Sequence, residues 1–122
     1  MVLMVGSIDG LRVRIRKLVL QTVAFARDIP KDEVGRVFVN QLLRSITSIG
    51  ANFEEASEAQ TPRDVVYKLS VVKKEAKESK YWLELVCELY SGLSLRGKIL
   101  VQEVSELVMI FSSIIQKKKT EH

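Results

Sequence analysis

Apolar side chains recur at alternating spacings of three and four residues in four long stretches of the chain. This spacing places them along one face of an α helix, because a helix completes a turn about every 3.6 residues. We therefore predict four amphipathic helices, at residues of about 11–28, 32–59, 62–90 and 95–118. The predicted core face of the first helix consists of Leu11, Ile15, Leu18, Thr22, Phe25 and Ile29.

The other three predicted helices carry equally regular apolar rows. The row on the second helix is Phe38, Leu42, Ile46, Ile49, Phe53 and Ala56. The row on the third helix is Leu69, Val72, Ala76, Ser79, Leu83, Val86 and Tyr90. The row on the fourth helix is Leu100, Val104, Leu107, Phe111 and Ile114.

Local signals place the helix ends. Pro30 ends the first helix, because a proline disfavours helical geometry in the residue before it. Asp32 is a predicted N-cap of the second helix, and Thr61 is the predicted N-cap of the third, with Pro62 in the first helical position. The sequence Ser-Gly-Leu-Ser at residues 91–94 provides the turn before the fourth helix.

Short connections join the predicted helices, and they determine the expected topology. Links of about two to five residues make sequential helices antiparallel neighbours. No strand-like alternation and no flexible linker interrupts the pattern. We therefore predict an all-α fold, an antiparallel up-down-up-down four-helix bundle, that occupies residues 1–122 as a single domain.

Several predicted helices carry a second apolar row beside the first. The rows are Val19, Val23 and Ala26; Trp82, Leu85 and Leu89; and Val101, Val108 and Ile115. They are either the flanks of one generous core or a surface that a monomer would leave in water. We favour the second interpretation and predict a homo-oligomer with Trp82, Leu85 and Leu89 in its interface.

Composition narrows the class of protein. The chain has 122 residues, a net charge of +4 and a single cysteine, Cys87, so an intrachain disulfide is excluded. The apolar opening residues 1–5 and the apolar stretch at residues 106–116 are too short for a signal sequence or a membrane span. We expect a cytoplasmic protein without a membrane partner.

Residues that support common catalytic chemistry are missing from the predicted helices. The only histidine is His122, the last residue, and Gly-rich phosphate-binding motifs do not occur. A carboxylate-only metal site from Glu54, Glu55, Glu75 and Glu78 is conceivable, but lysines flank the last two residues, as in solvated helix pairs. We predict no enzymatic activity, no metal site and no cofactor.

The second helix contains an unusual run of poor helix formers at residues 44–52. A polar row made of Gln41, Ser45, Ser48, Asn52 and Glu55 runs beside its apolar row. This run indicates either close helix packing across Gly50 and Ala51, with hydroxyls bonded to the backbone or to another helix, or a polar pocket that contacts a partner. We favour the packing interpretation.

Basic residues concentrate near the two ends of the chain, where the net charge is +3 in residues 1–29 and +2 in residues 92–122. In an up-down bundle the start of the first helix and the end of the fourth lie at the same end of the molecule. Such a basic cluster is typical of a phosphate-contacting surface. Its predicted members are Arg12, Arg14, Arg16, Lys17, Lys117, Lys118 and Lys119.

Two long motifs resemble a known family. Residues 41–56 and residues 68–85, together with the link at residues 30–33, are similar to the bacterial four-helix bundle family named after open reading frames in intervening sequences of 23S rRNA genes. That family was formerly labelled S23 ribosomal protein. The resemblance implies a ring-like homopentamer, and it extends to the accessory variability determinant of diversity-generating retroelements, which binds nucleic acid and a reverse transcriptase.

Two hypotheses about function follow. The first is a non-enzymatic homo-oligomeric module, a pentamer by the family resemblance, that binds RNA or DNA through its basic surface. The second is an oligomeric protein–protein interaction scaffold without a nucleic-acid role. A salt-dependent gel shift distinguishes them.

Overall fold

The computed structural model describes residues 7–120 and contains four α helices in this part of the chain. They are α1 (Ser7–Ala26), α2 (Glu33–Glu58), α3 (Pro62–Leu89) and α4 (Ser94–Thr120). A single 3-10 turn, Ser91–Leu93, precedes α4, and no strand occurs within residues 7–120. The predicted all-α fold is confirmed, although α1 begins about four residues earlier than predicted. His122 and the apolar opening residues 1–5 lie outside the described residues.

The two predicted N-caps form as expected. The Asp32 carboxylate accepts a hydrogen bond from the Gly35 amide at 2.8 Å, and the Thr61 hydroxyl accepts one from the Asp64 amide at 3.1 Å. Each bond satisfies an amide that the first helical turn would otherwise leave unpaired. Sequence reasoning missed that Gly35 is sterically required, because a Cβ there would lie 1.7 Å from the Pro30 carbonyl oxygen.

The core follows the predicted apolar rows closely. All six residues of the first predicted row are buried, including Thr22 and also Ile29, which lies just after α1, and so are nearly all of those in the second and third rows. On α4 the prediction is wrong by one residue at the end of the row, because Ile115 is buried and Ile114 is half-buried. The buried row on α4 therefore ends with a step of four residues, from Phe111 to Ile115, whereas the predicted row ended with a step of three.

Helices that follow one another in the chain pack together, and α4 also packs against α1. The backbones of the diagonal pairs α1/α3 and α2/α4 do not approach closely within the described residues, although the rings of Phe53 and Phe111 meet across the core with centroids 6.5 Å apart. Contacts between neighbours run in opposite register: Arg12 near the start of α1 bonds Glu54 near the end of α2, and Asp28 just after α1 bonds Arg96 near the start of α4. These registers support the predicted antiparallel order.

The apolar character of α4 is greater than the sequence reasoning recognised. Residues Ser91–Thr120 are long and apolar enough to cross a membrane by length and composition, with a mean hydropathy of 1.5 in the most apolar window. One such helix is weak evidence for a span, because core helices of soluble proteins pass the same test. Within the protomer, 28% of the residues in this window are buried.

Candidate functional site

Arg12, a member of the predicted basic cluster, is held by acidic side chains of its own protomer. Its Nε donates to Glu54 Oε2 at 2.8 Å, and its Nη1 donates to Asp9 Oδ1 at 2.7 Å. The hydrogen bond that Arg12 donates to Glu54 is the main cause of the raised pKa of Arg12. Two carboxylates therefore already balance this guanidinium.

Arg14 is held more firmly, between α1 and α4. Its Nε donates to Glu103 Oε2 at 2.6 Å, and its Nη2 donates to Glu106 Oε1 at 2.7 Å. Hydrogen bonding to Glu103, and secondarily to Glu106, raises the pKa of Arg14. On the acidic side, hydrogen bonds from Gln102 and then from Arg14 lower the pKa of Glu106.

The other members of the basic cluster lie at different heights along the molecule. Arg16 and Lys17 are exposed on α1, and the three lysines at residues 117–119 lie in the last turn of α4. Lys117 lies eleven residues beyond Glu106, or about 16 Å along the helix axis at 1.5 Å per residue. Since Glu106 pairs with Arg14, the lysines lie well beyond Arg14, and the basic groups are spread along the bundle axis instead of being gathered at one point.

The predicted oligomer interface has mixed exposure. Trp82 is half-buried and packs edge-on against Phe38, with ring centroids 5.9 Å apart. Leu85 is half-buried, and Leu89 is exposed. The second apolar rows of α1 and α4 mostly flank the core, because Val19, Val101 and Val108 pack against it while Ala26 and Ile115 are buried.

A more apolar surface, which the sequence reasoning did not identify, lies along α1 and α4. Val13 is 67% exposed, Leu20 59%, Leu95 78% and Ile99 65%. We call these four residues the α1/α4 face. Leu95 and Ile99 line an open groove of about 660 Å³ between the two helices, together with polar and charged residues that include Lys17 and Gln21. Val13 and Leu20 lie on α1 outside the lining of this groove. In the sequence, the signal for this face was the presence of these apolar residues outside the predicted core rows.

The polar row of α2 is explained by packing within the protomer. Ser79 on α3 donates to Ser45 Oγ at 2.8 Å in the buried α2/α3 contact, and the Ser48 hydroxyl donates to the Arg44 carbonyl. The Asn52 amide donates to the Ser48 carbonyl at 2.9 Å. These bonds match the interpretation that the hydroxyls bond the backbone or a neighbouring helix.

Gly50 and Ala51 occupy different environments. A Cβ at Gly50 would lie 3.9 Å from the side chains of Ile15 and Val19, so α1 and α2 approach closely at this point. Ala51 is exposed. The prediction that Ala51 also packs between helices of the protomer is wrong, because it is one residue further around the helix and faces outward.

The four carboxylates of the conceivable metal site form ion pairs with basic side chains. Glu75 and Glu78 pair with Arg44, and Glu55 pairs with Lys68. In residues 7–120 there is no group of three or more potential metal-ligating side chains. Cys87 is buried, and its burial raises the pKa of the thiol, which favours the unreactive protonated form.

Comparisons with known proteins agree with this architecture. A model of the 23S rRNA-intervening sequence protein family matches residues 13–113, a range that includes parts of all four helices. A crystal structure at 1.70 Å resolution of a protein of unknown function, from the S23 ribosomal protein family of Bacteroides thetaiotaomicron VPI-5482, is similar with a TM-score of 0.81. The two chains are 29% identical, and the match covers 89% of this chain and 97% of the other. No curated protein matches the chain.

Proposed function

The chain belongs to the 23S rRNA-intervening sequence protein family, and from this membership and its surface we propose that it is a non-enzymatic, homo-oligomeric helical module of the cytoplasm that binds nucleic acid. Membership confirms the resemblance seen at residues 41–56 and 68–85. The pentameric state is the one that the resemblance implies. The observation that carries the proposal is the α1/α4 face.

Burial of this face offsets a large part of the cost of assembly. Each Val, Leu or Ile side chain transferred fully from water into a contact contributes about 1.5–3 kcal/mol. Since the four residues of the α1/α4 face are only about two-thirds exposed, they together contribute about 4–8 kcal/mol, against a cost of association of roughly 4–15 kcal/mol. The exposure of the apolar residues Leu95 and Ile99 on α4 agrees with an outer surface that a second copy covers.

A cyclic pentamer also needs two different faces on each protomer. In a ring of odd number, neighbouring subunits meet head to tail, so one patch contacts a separate patch of the next copy. The α1/α4 face supplies the first patch. Trp82, Leu85 and Leu89 on α3 supply a second apolar patch, and α3 is diagonal to α1 in the bundle. We propose that these two patches meet.

Light scattering coupled to size exclusion tests this assembly. The parent should elute with a mass several times 13.8 kDa, whereas Leu20→Lys combined with Ile99→Lys should be a monomer. Val37→Lys is the matched control, because Val37 has comparable exposure but lies on α2. A monomeric parent, or a double variant that keeps the parent's mass, would refute the proposed assembly through this face.

Nucleic-acid binding is the second part of the proposal, and it is supported by the +4 net charge and by the exposed basic residues Arg16, Lys17, Lys117 and Lys119. Fluorescence anisotropy with labelled RNA and DNA should show affinity that falls steeply as salt rises, because such contacts release counterions from phosphates. Repetition of the basic groups around a ring would strengthen weak individual contacts.

One observation favours the alternative, an oligomeric protein-interaction scaffold without a nucleic-acid role. Arg12 and Arg14 are balanced by carboxylates of their own protomer, so two of the seven predicted contacts are weakened. If the parent oligomer binds neither RNA nor DNA at low salt, where electrostatic attraction is least screened, the scaffold function replaces the nucleic-acid function.

A further inference from the structure

The outer side of α3 carries a row of basic and aromatic side chains. Tyr67, Lys74, Lys77 and Tyr81 are spaced by seven, three and four residues, which places them on one side of the helix. All four are exposed in the protomer, the two tyrosines by 63% and 54%. The row runs from Tyr81 toward the start of α3, whereas the proposed interface residues Leu85 and Leu89 lie toward the end of the helix, so Tyr81 marks the border between the two surfaces. We call these residues the α3 row. It spans fourteen residues, or about 21 Å at 1.5 Å per residue.

The acidic residues of the same segment are directed away from this row. Glu75 and Glu78 turn toward α2, where Arg44 Nη1 lies 3.3 Å from Glu75 Oε1 and Nη2 contacts Glu78. In the described part of the chain, no ion pair is formed by Lys74 or Lys77. The ion pairing that neutralises Arg12 and Arg14 is therefore missing here, and Lys74 and Lys77 present positive charge to solvent. Beyond Tyr81 the same side of α3 becomes acidic, at the exposed Glu84 and Glu88.

The ring of Tyr81 packs against two aromatic rings that lie closer to the core. It contacts Trp82 edge-on, with centroids 5.1 Å apart, and Trp82 contacts Phe38 in the same way at 5.9 Å. Trp82 and Phe38 in turn pack against the hydrophobic core. This ladder restricts the exposed ring, so a planar ligand that stacks on it loses less side-chain entropy on binding.

We infer that the α3 row is a binding surface for single-stranded nucleic acid, with bases stacked on the two tyrosines and phosphates bound by Lys74 and Lys77. This inference rests on the proposed nucleic-acid function and assigns it to a surface that the predicted basic cluster does not include. Aromatic rings alternating with positive charge are the usual means of binding unpaired strands, since every exposed base has a face that can stack. In a duplex those faces are occupied by neighbouring bases, so the tyrosines add affinity only for unpaired strands.

Fluorescence anisotropy with a labelled 20-nucleotide single strand, and with the duplex of the same sequence, tests the stacking contribution. Tyr81→Leu should weaken single-strand binding by about 5- to 150-fold, the effect of losing one stacked base. Tyr81→Phe keeps the ring and should bind as tightly as the parent. Both variants should bind the duplex as tightly as the parent does, because duplex binding does not involve stacking on the Tyr81 ring.

A salt titration tests the phosphate contacts. Lys74→Gln combined with Lys77→Gln should flatten the slope of log K against log salt by about 1.4, from two contacts to a single strand. Lys31→Gln combined with Lys98→Gln removes the same charge from exposed positions outside both the α3 row and the predicted basic cluster, and should leave the slope unchanged. Circular dichroism and light scattering on every variant identify any loss of fold or assembly.

The outcomes separate this inference from the proposed function. If the parent binds no nucleic acid, the nucleic-acid function itself fails. If the parent binds but the α3 variants match it, binding occurs elsewhere and the α3 assignment is wrong. Equal affinity of the parent for single strand and duplex also overturns it, and so does equally effective competition by polyglutamate, which would show a surface for acidic protein segments.

Discussion

Gly97 on α4 provides a test of how tightly the α3/α4 contact is packed. It is buried, and a Cβ at this position would lie 2.3 Å from the Cys87 sulfur and 3.2 Å from Phe25 Cζ. The Gly97→Ala change therefore forces the thiol to move and presses on a buried ring. Gly10 is a matched control, because it is likewise the fourth residue of its helix but has no atom within 4 Å of the corresponding Cβ position.

The expected energies follow from two opposing effects. Alanine in place of glycine stabilises a helix by at most about 1 kcal/mol. Forcing an extra carbon into a filled contact costs about 1–3 kcal/mol. Gly97→Ala should therefore range from neutral to about 2 kcal/mol destabilising, while Gly10→Ala should stabilise by about 0.5–1 kcal/mol.

A double-mutant cycle assigns the penalty to the thiol. In a Cys87→Ala background the sulfur is gone, so Gly97→Ala should become neutral or stabilising, and the coupling between the two sites should reach at least about 1 kcal/mol. Urea unfolding followed by circular dichroism, at one protein concentration for all variants, measures each free energy of unfolding. A coupling below about 0.3 kcal/mol would show that the thiol moves aside freely and that the contact is loosely packed.

Four further predictions concern single sites. Thr22 has a buried hydroxyl without a hydrogen-bond partner in the described structure, so Thr22→Val should stabilise the fold by about 1 kcal/mol in urea unfolding; destabilisation would show that the hydroxyl is satisfied. Gly50→Ala should be tolerated because its Cβ would be in ordinary contact, whereas Gly50→Leu should cost about 1–3 kcal/mol; equal stability of the leucine variant would mean that α1 and α2 are not closely packed there. In the folded chain the pKa of Glu106 lies below its usual 4.5. Its contribution to stability is therefore present above pH 4.5 and is lost as pH falls through the folded pKa. Urea midpoints should decline less below pH 4.5 in Glu106→Gln than in the parent, and parallel declines would contradict this reasoning. Arg14→Gln should change the salt slope of nucleic-acid binding less than Lys17→Gln does, because two carboxylates already balance Arg14.

Local patterns predicted the fold because the interactions that decide it are local. The N-caps at Asp32 and Thr61 depend on residues three positions apart, and the buried row of α1 depends only on helical period. The one misplaced core residue on α4 came from a choice between adjacent isoleucines, Ile114 and Ile115. Period alone does not separate neighbours that differ by a fraction of a turn.

The surface could not be predicted in the same way, because it depends on contacts between distant parts of the chain. Arg12 reaches Glu54, and Arg14 reaches Glu103, so charges that look available in the sequence are paired in the fold. Conversely, Glu75 and Glu78 interrupt the lysines of α3 in sequence but turn toward Arg44 in space. Net charge by segment therefore overstated the unpaired positive charge of α1, and the order of charges along α3 did not show which side of the helix each one occupies.

The α1/α4 face shows why abundant hydrophobicity must be divided between folding and assembly. Leu20 and Ile99 are more than half exposed, so they add little to the core of the protomer. Replacing them with lysine should consequently leave helical content and monomer stability nearly intact, since exposed substitutions usually change stability by less than about 0.5 kcal/mol. Loss of the oligomer without loss of the fold would identify these residues as assembly residues. Loss of both together would instead show that the protomer depends on its neighbours to fold, and the two roles could not then be separated.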